Sequence, residues 1–151
     1  MILWRISNYA DLSGAGGLLH SGRWHSRSRP LVYLAESPAG ALVEALVHVQ
    51  AAASAELPKN YQLLEVVMPG DVSAIDVSHQ LGPSWREAPG TPRALGDAWL
   101  AAQSSLLLRV PSVVVGRSFN RLFKPLHVQA ASCRVESVAR YPFDERLMAR
   151  G

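Results

Sequence analysis

Apolar positions along this chain follow two different periods. Ile2 to Ile6 forms a short strand-like run, and Leu31-Val32-Tyr33-Leu34 is a continuous apolar run of the kind that buried strands carry. Ser37-Pro38 is a helix start, with Ser37 as N-cap and Pro38 at the first helical position. Beyond it Leu42, Leu46 and Val49 recur at helical spacing, which predicts a helix to about Ala53 with that face on the core. Gln62 to Met68 and Val72 to Val77 have strand character. Thr91-Pro92 begins a second helix, with Leu95, Ala98, Trp99 and Ala102 as its apolar face. Leu106 to Val110 and Ser112 to Val115 are β-rich and broken by Pro111, and Ser132 to Val138 is a last strand. Gly14, Gly16, Gly17 and Gly22 predict loop and turn, as do Leu81 to Gly90 around Trp85; Asn120 to Pro125 reads as a loop or short helical turn. Mixed strands with two main helices predict an α+β protein, one compact domain over residues 1–151.

Against this pattern three polar residues stand in apolar surroundings. Arg23 lies in Gly22-Arg23-Trp24, Glu44 in Leu42-Val43-Glu44-Ala45-Leu46, and Ser112 in Val110-Pro111-Ser112-Val113. A charge among apolar residues costs several kcal/mol unless it is paired or put to use. Each has a plain structural alternative. Glu44 and His48 are four apart, the spacing of a solvated helical pair. Arg23 can pack its stem on an indole, and Ser112 can be an ordinary turn serine. Tyr33 is by default a core tyrosine, and His127 a partly buried structural histidine.

Composition narrows the function. Hydrophobic residues make up 48% and charged residues 18%, which excludes general disorder. One cysteine, Cys133, excludes an internal disulfide framework, and the five histidines show no metal-ligand spacing, so no metal is expected. No run of 18 apolar residues exists, so no membrane span is expected and the protein is expected in the cytoplasm. The net charge of +3 is modest and spread along the chain; a nucleic-acid-binding module using Arg23, Arg27 and Arg29 is the non-enzymatic alternative. The glycine cluster lacks the P-loop lysine, and no Gly-x-Ser-x-Gly elbow is present.

Taken in order, the segments resemble the RES domain, a bacterial toxin family named for its Arg, Glu and Ser. The likeness runs from Trp4-Arg5-Ile6 through Gly22-Arg23-Trp24, Val32-Tyr33-Leu34-Ala35-Glu36-Ser37 and Glu44-Ala45-Leu46-Val47-His48. It continues through Leu95-Gly96-Asp97-Ala98-Trp99-Leu100, Val110-Pro111-Ser112, Asn120 and Pro125-Leu126-His127 to Phe143-Asp144-Glu145-Arg146-Leu147. The resemblance implies an ADP-ribosyltransferase-like fold and a toxin that consumes NAD as substrate. It also implies an Xre-type antitoxin that blocks the site, a toxin homodimer within that complex, and DNA contact only through the antitoxin. Arg23, Tyr33, Glu44 and Ser112 match the family's active-site positions, and Asn120 another polar position beside them. The chain departs from the family at Arg121, Lys124 and His25, where many members carry tyrosine, asparagine and asparagine.

What the resemblance implies chemically is economical. In NAD the nicotinamide is already a cationic pyridinium and leaves as a neutral amide, so one carboxylate can suffice where glycosidases use two. By this likeness Glu44 stabilises positive charge developing on the ribose. Arg23 binds the diphosphate or a ribose hydroxyl, Tyr33 stacks on nicotinamide, and Ser112 orients the ribose or the amide. Water as acceptor makes a glycohydrolase, phosphate a phosphorylase, and a protein side chain an ADP-ribosyltransferase; NAD breakdown is the expectation and protein modification the alternative.

Overall fold

In the computed structural model, which describes residues 1–51 and 60–147, seven strands and three helices follow from these patterns. The strands are β1 (Ile2–Ser7), β2 (Val32–Ala35), β3 (Gln62–Val67), β4 (Ala74–Asp76), β5 (Leu107–Pro111), β6 (Phe119–Phe123) and β7 (Arg134–Arg140). They form one sheet in the order β4-β5-β6-β2-β1-β3-β7. Neighbours run antiparallel except β4 and β5, which are parallel, so the sheet is mixed. The helices are α1 (Ala15–Leu19), α2 (Pro38–Ala51) and α3 (Gly90–Ala102). This is the α+β architecture expected.

Strand alternation divides the core. Leu3, Val32, Leu34, Leu64, Val66, Leu107 and Phe123 pack together, while the strand neighbours Tyr33, Ala35, Leu63, Leu108 and Leu122 pack elsewhere. Leu108, Val110 and Leu122 join Trp24, Trp85, Trp99 and Leu100 in a cluster under α3. Ile6 and Ala35 join Ala41, Ala45 and Phe143 under α2. Because side chains alternate along a strand, the register places Tyr33 beside Leu122, and Ala35 and Val110 beside Asn120, all on the face that receives α2 and α3.

Local expectations hold in part. Ser37 caps α2 as expected: its Oγ accepts the Gly40 N–H at 3.0 Å. Leu42 and Leu46 pack against the core, whereas the side chain of Val49 and residue Ala53 lie outside the described residues. Four expectations are corrected. Asn120 to Pro125 is not a loop or helical turn, because residues through Phe123 form β6, held between β2 and β5. Ser112 to Val115 is not a strand but a turn, and Pro111 ends β5 rather than breaking it. The Gly14–Gly17 turn is a short helix, α1, entered through Gly14 at φ 73, a left-handed geometry open to glycine. Helix α3 begins at Gly90 without a side-chain cap from Thr91, and its buried face is Pro92, Gly96, Trp99 and Leu100; Ala98 and Ala102 are exposed.

Arg121, Lys124 and His25 have local partners. Arg109 and Arg121 sit opposite each other on β5 and β6, where like charges repel. Glu36 lies between them, its Oε1 accepting both Nε–H groups at 2.8 Å. Lys124, only 2% exposed, donates from Nζ to the Trp99 carbonyl in the last turn of α3 at 2.8 Å. Burial without a carboxylate partner lowers its pKa. His25 Nδ1 lies 2.8 Å from the Tyr33 hydroxyl, and burial lowers its pKa as well.

Arg109 also donates to Asp76 Oδ2 at 3.1 Å, and Asp76 accepts the Ser78 hydroxyl and N–H. The Ser78 hydroxyl, then its N–H and Arg109, hold the Asp76 carboxyl down at about 2 from an ordinary 3.8. A depressed acid stabilises the fold above its unfolded pKa and loses that contribution as pH falls through the folded value. Asp76→Asn is therefore expected to be less stable than wild type at pH 5, with the difference vanishing between pH 3.8 and about 2. Urea midpoints across that range check it; a difference independent of pH contradicts it.

Candidate active site

A cleft of about 240 Å³ opens beside the start of α2, lined by Glu36, Ser37, Gly40, Glu44, Arg109, Ser112, Val115, Arg117, Ser118, Phe119 and Asn120. Three of the sequence-predicted residues meet there. Glu44 Oε1 accepts the Ser112 hydroxyl at 3.0 Å and the Asn120 Nδ2–H at 2.9 Å. Neither His48 nor any other described residue is seen bonding Oε2, so the carboxylate is fixed through one oxygen. The helical Glu44–His48 pair is not formed.

Helix α2 delivers Glu44 because Ala41 and Ala45 flank it on the core side, small enough to bring the helix close to β1 and β2. Strand β6 delivers Asn120 through the register described above. Ser112 is buried, 3% exposed, and it does more than donate to Glu44. Its Oγ accepts the Val114 and Val115 N–H groups at 3.2 and 3.1 Å, and its own N–H donates to the Ser118 carbonyl at 2.8 Å. One hydroxyl thus ties the Glu44 carboxylate to the 112–118 turn at the cleft. Ser112→Ala removes all three side-chain bonds and is expected to cost about 1–3 kcal/mol, read from urea unfolding at constant slope; an unchanged midpoint contradicts this role.

Arg23 and Tyr33 are not in the lining. Tyr33 on β2 is largely buried, its hydroxyl accepting the Trp24 N–H at 3.3 Å and meeting His25. Burial chiefly, with Glu44's charge among the smaller causes, raises its pKa and keeps it neutral. A Cβ on Gly22 would lie 2.5 Å from the Tyr33 hydroxyl, so the close approach that Gly22 permits is to this ring. Tyr33 therefore braces the tight segment that carries Arg23. The Arg23 guanidinium donates from Nη1 to the Arg86 carbonyl at 3.0 Å, leaving its other N–H groups available. Trp24 packs against Trp85, ring centroids 5.8 Å apart, in the core between them.

Sequence reasoning missed Glu36, Arg109 and Arg117 as cleft residues. Arg109 interrupts the apolar run Leu106–Val110 just as Glu44 interrupts its own, so the same argument could have found it. Among the described residues no cluster of histidine, cysteine and carboxylates could hold a metal ion, and no helix is long and apolar enough to cross a membrane.

Comparison with known proteins gives the family. The family model for the RES domain matches residues 2–144. A protein of Pseudomonas putida named Toxin Res is 46% identical over 147 residues, covering 97% of this chain and 99% of that one. A protein of Sphingobium sp. named Prs ADP-ribosylating toxin is 33% identical, covering 97% and 96%. A Toxin Res of Yersinia enterocolitica is 31% identical, covering 97% and 99%. The chain belongs to the RES family of toxins, whose fold is ADP-ribosyltransferase-like.

Proposed function

We propose that this RES-family chain is the toxin of a toxin–antitoxin system and cleaves NAD between nicotinamide and ribose, depleting the cell's pool. The observation that carries the reading is Glu44: a carboxylate at the wall of a cleft, fixed through one oxygen by Ser112 and Asn120. The cleft is near the lower size of small-molecule sites, ~300 Å³, and suits the nicotinamide riboside end, with the rest of the dinucleotide running outward.

The C1′–N bond breaks with its electron pair passing to the pyridinium nitrogen, so no proton donor is required. Glu44 stabilises the positive charge that grows on the ribose, an interaction stronger in the transition state than in the bound substrate. Ser112 and Asn120 hold the carboxylate so that it needs no reorganisation as the charge develops. Their role is to position Glu44, which replaces the direct ribose or amide contact expected for Ser112. Arg23 binds a phosphate or ribose hydroxyl with the donors that Arg86 leaves free. Tyr33 holds Arg23's segment in place, since its hydroxyl is already committed there.

Nicotinamide, ADP-ribose and ADP-ribose phosphate, separated by chromatography with and without phosphate, test the reaction. Release unchanged by phosphate makes the protein a glycohydrolase, and release that requires phosphate makes it a phosphorylase. A second reading, transfer of ADP-ribose to a protein, is favoured by one observation: the Sphingobium relative is named an ADP-ribosylating toxin. It predicts nicotinamide release only when an acceptor protein is added. An unregulated NAD consumer in the cytoplasm would kill its host, so an Xre-type antitoxin is the proposed partner; it covers the cleft and alone contacts DNA, with a toxin homodimer inside the complex. NAD consumption by that complex at the free toxin's rate would refute the blocking role.

A further inference from the structure

The cleft that holds Glu44 carries a second feature. Residues 112–118 fold back on themselves, closed by Ser112 N–H to the Ser118 carbonyl at 2.8 Å and by the Ser118 N–H to the Val115 carbonyl at 3.3 Å. Arg117 sits in this turn with φ 63, a left-handed conformation that costs a long L side chain energy and that glycine would adopt freely. Gly116 precedes it, so the sequence had a glycine one position away and placed arginine at the strained one.

Arg117 differs from the other cation of the cleft. Arg109 is committed to Glu36 and Asp76 and stacks on the Phe119 ring at 3.5 Å. Arg117 is exposed and makes no hydrogen bond or ion pair with any described residue, yet it lines the same cleft as Glu44. The Gly40 N–H at the start of α2 is already taken by Ser37, so the uncommitted donors of this cleft are concentrated on Arg117. A guanidinium whose N–H groups are all uncommitted is suited to bind two phosphate oxygens at once.

We infer that Arg117 binds the diphosphate of the dinucleotide at the mouth of the cleft and sets the preference for a phosphorylated substrate. The inference rests on the NAD reading above. Ser112 then has two consequences in one residue: its hydroxyl orients Glu44, and the turn it anchors presents Arg117. The carboxylate that meets the ribose and the backbone that carries the cation are thereby anchored to the same serine.

Steady-state kinetics of Arg117→Gln and Arg117→Lys test this, with Arg140→Gln, on the far edge strand, as control. For NAD, Arg117→Gln should raise KM about tenfold or more, the loss expected for a charge-assisted hydrogen bond, with kcat within about threefold. Arg117→Lys should recover part of the loss, and Arg140→Gln should match wild type. Nicotinamide riboside, which carries no phosphate, should be cleaved equally by wild type and Arg117→Gln. An unchanged KM for NAD overturns the inference and leaves the NAD reading standing. An equal loss on nicotinamide riboside also overturns it, because the substitution would then have disturbed the turn rather than a phosphate contact. If wild type consumes no NAD, titration with ADP-ribose by calorimetry decides: weaker binding by Arg117→Gln supports the contact, and equal or absent binding overturns it.

Discussion

Glu44→Gln is expected to lower the rate of nicotinamide release from NAD by about 10²–10³ while leaving the fold intact. The substitution is nearly isosteric. The amide oxygen can still accept from Ser112 and Asn120, so the hydrogen bonds that Oε1 makes are kept. What disappears is the negative charge beside the ribose. A dipole in place of a charge leaves ground-state binding largely unaltered and removes the interaction that grows toward the transition state, so the loss belongs in kcat rather than KM. A melting temperature near that of wild type would show that the rate loss is chemical. A variant retaining a tenth or more of wild-type kcat would remove Glu44 from its role.

Gly96→Ala is expected to have the largest effect on stability. In the interior of a helix, glycine to alanine normally gains about 1 kcal/mol from propensity. Here a methyl at position 96 would lie 1.6 Å from the Trp24 carbonyl oxygen and 2.7 Å from its carbon. Both contacts are to backbone, which cannot swing aside as a side chain can. Either α3 moves off the sheet, opening the cluster of Trp24, Trp85 and Trp99, or the segment from Gly22 to His25 moves with Arg23 on it. Overpacking of this kind costs typically 1–3 kcal/mol and occasionally more, so it exceeds the propensity gain. Both contacts being to backbone, the cost is expected at or above the top of that range, which leaves a net loss of about 2 kcal/mol or more and a drop in Tm of about 4–8 °C or more. Loss of NAD consumption is expected alongside it, through displacement of Arg23. A Gly96→Ala protein as stable as wild type would mean that α3 does not seat on Trp24.

Part of this was legible in the chain and part was not, for physical reasons. Helix α2 was readable because Ser37 and Pro38 write its start and the helix is long enough for periodicity to show. The position of Glu44 in an apolar helix was equally readable, because burial of an uncompensated carboxylate is costly whatever the fold. Strand β6 was not: Asn120 and Arg121 look like loop residues, and the bonds of Asn120 to Glu44 and of Arg121 to Glu36 accommodate them in the sheet. The turn at 112–118 was hidden by valines that favour strands, and the Ser112 hydroxyl outweighs them locally by accepting two backbone N–H groups. Arg117 gave no signal, because a free cation on a turn differs from a surface arginine only once the cleft beneath it is known.

The expected face of α3 holds at Trp99 and Leu95 and fails at Ala98 and Ala102, for a related reason. Leu95, Ala98, Trp99 and Ala102 satisfy helical spacing, but the contact that seats the helix is made by Gly96, which carries no hydrophobic signal. Close backbone approach selects the absence of a side chain, and patterns of apolar residues do not record it.

The most direct measurement is nicotinamide release from NAD by the purified, folded wild-type protein with no acceptor protein present. Release over many turnovers, with ADP-ribose or its phosphate as the matching product, is the expected result. Absence of release from a protein that melts cooperatively would contradict NAD breakdown as the activity of this cleft.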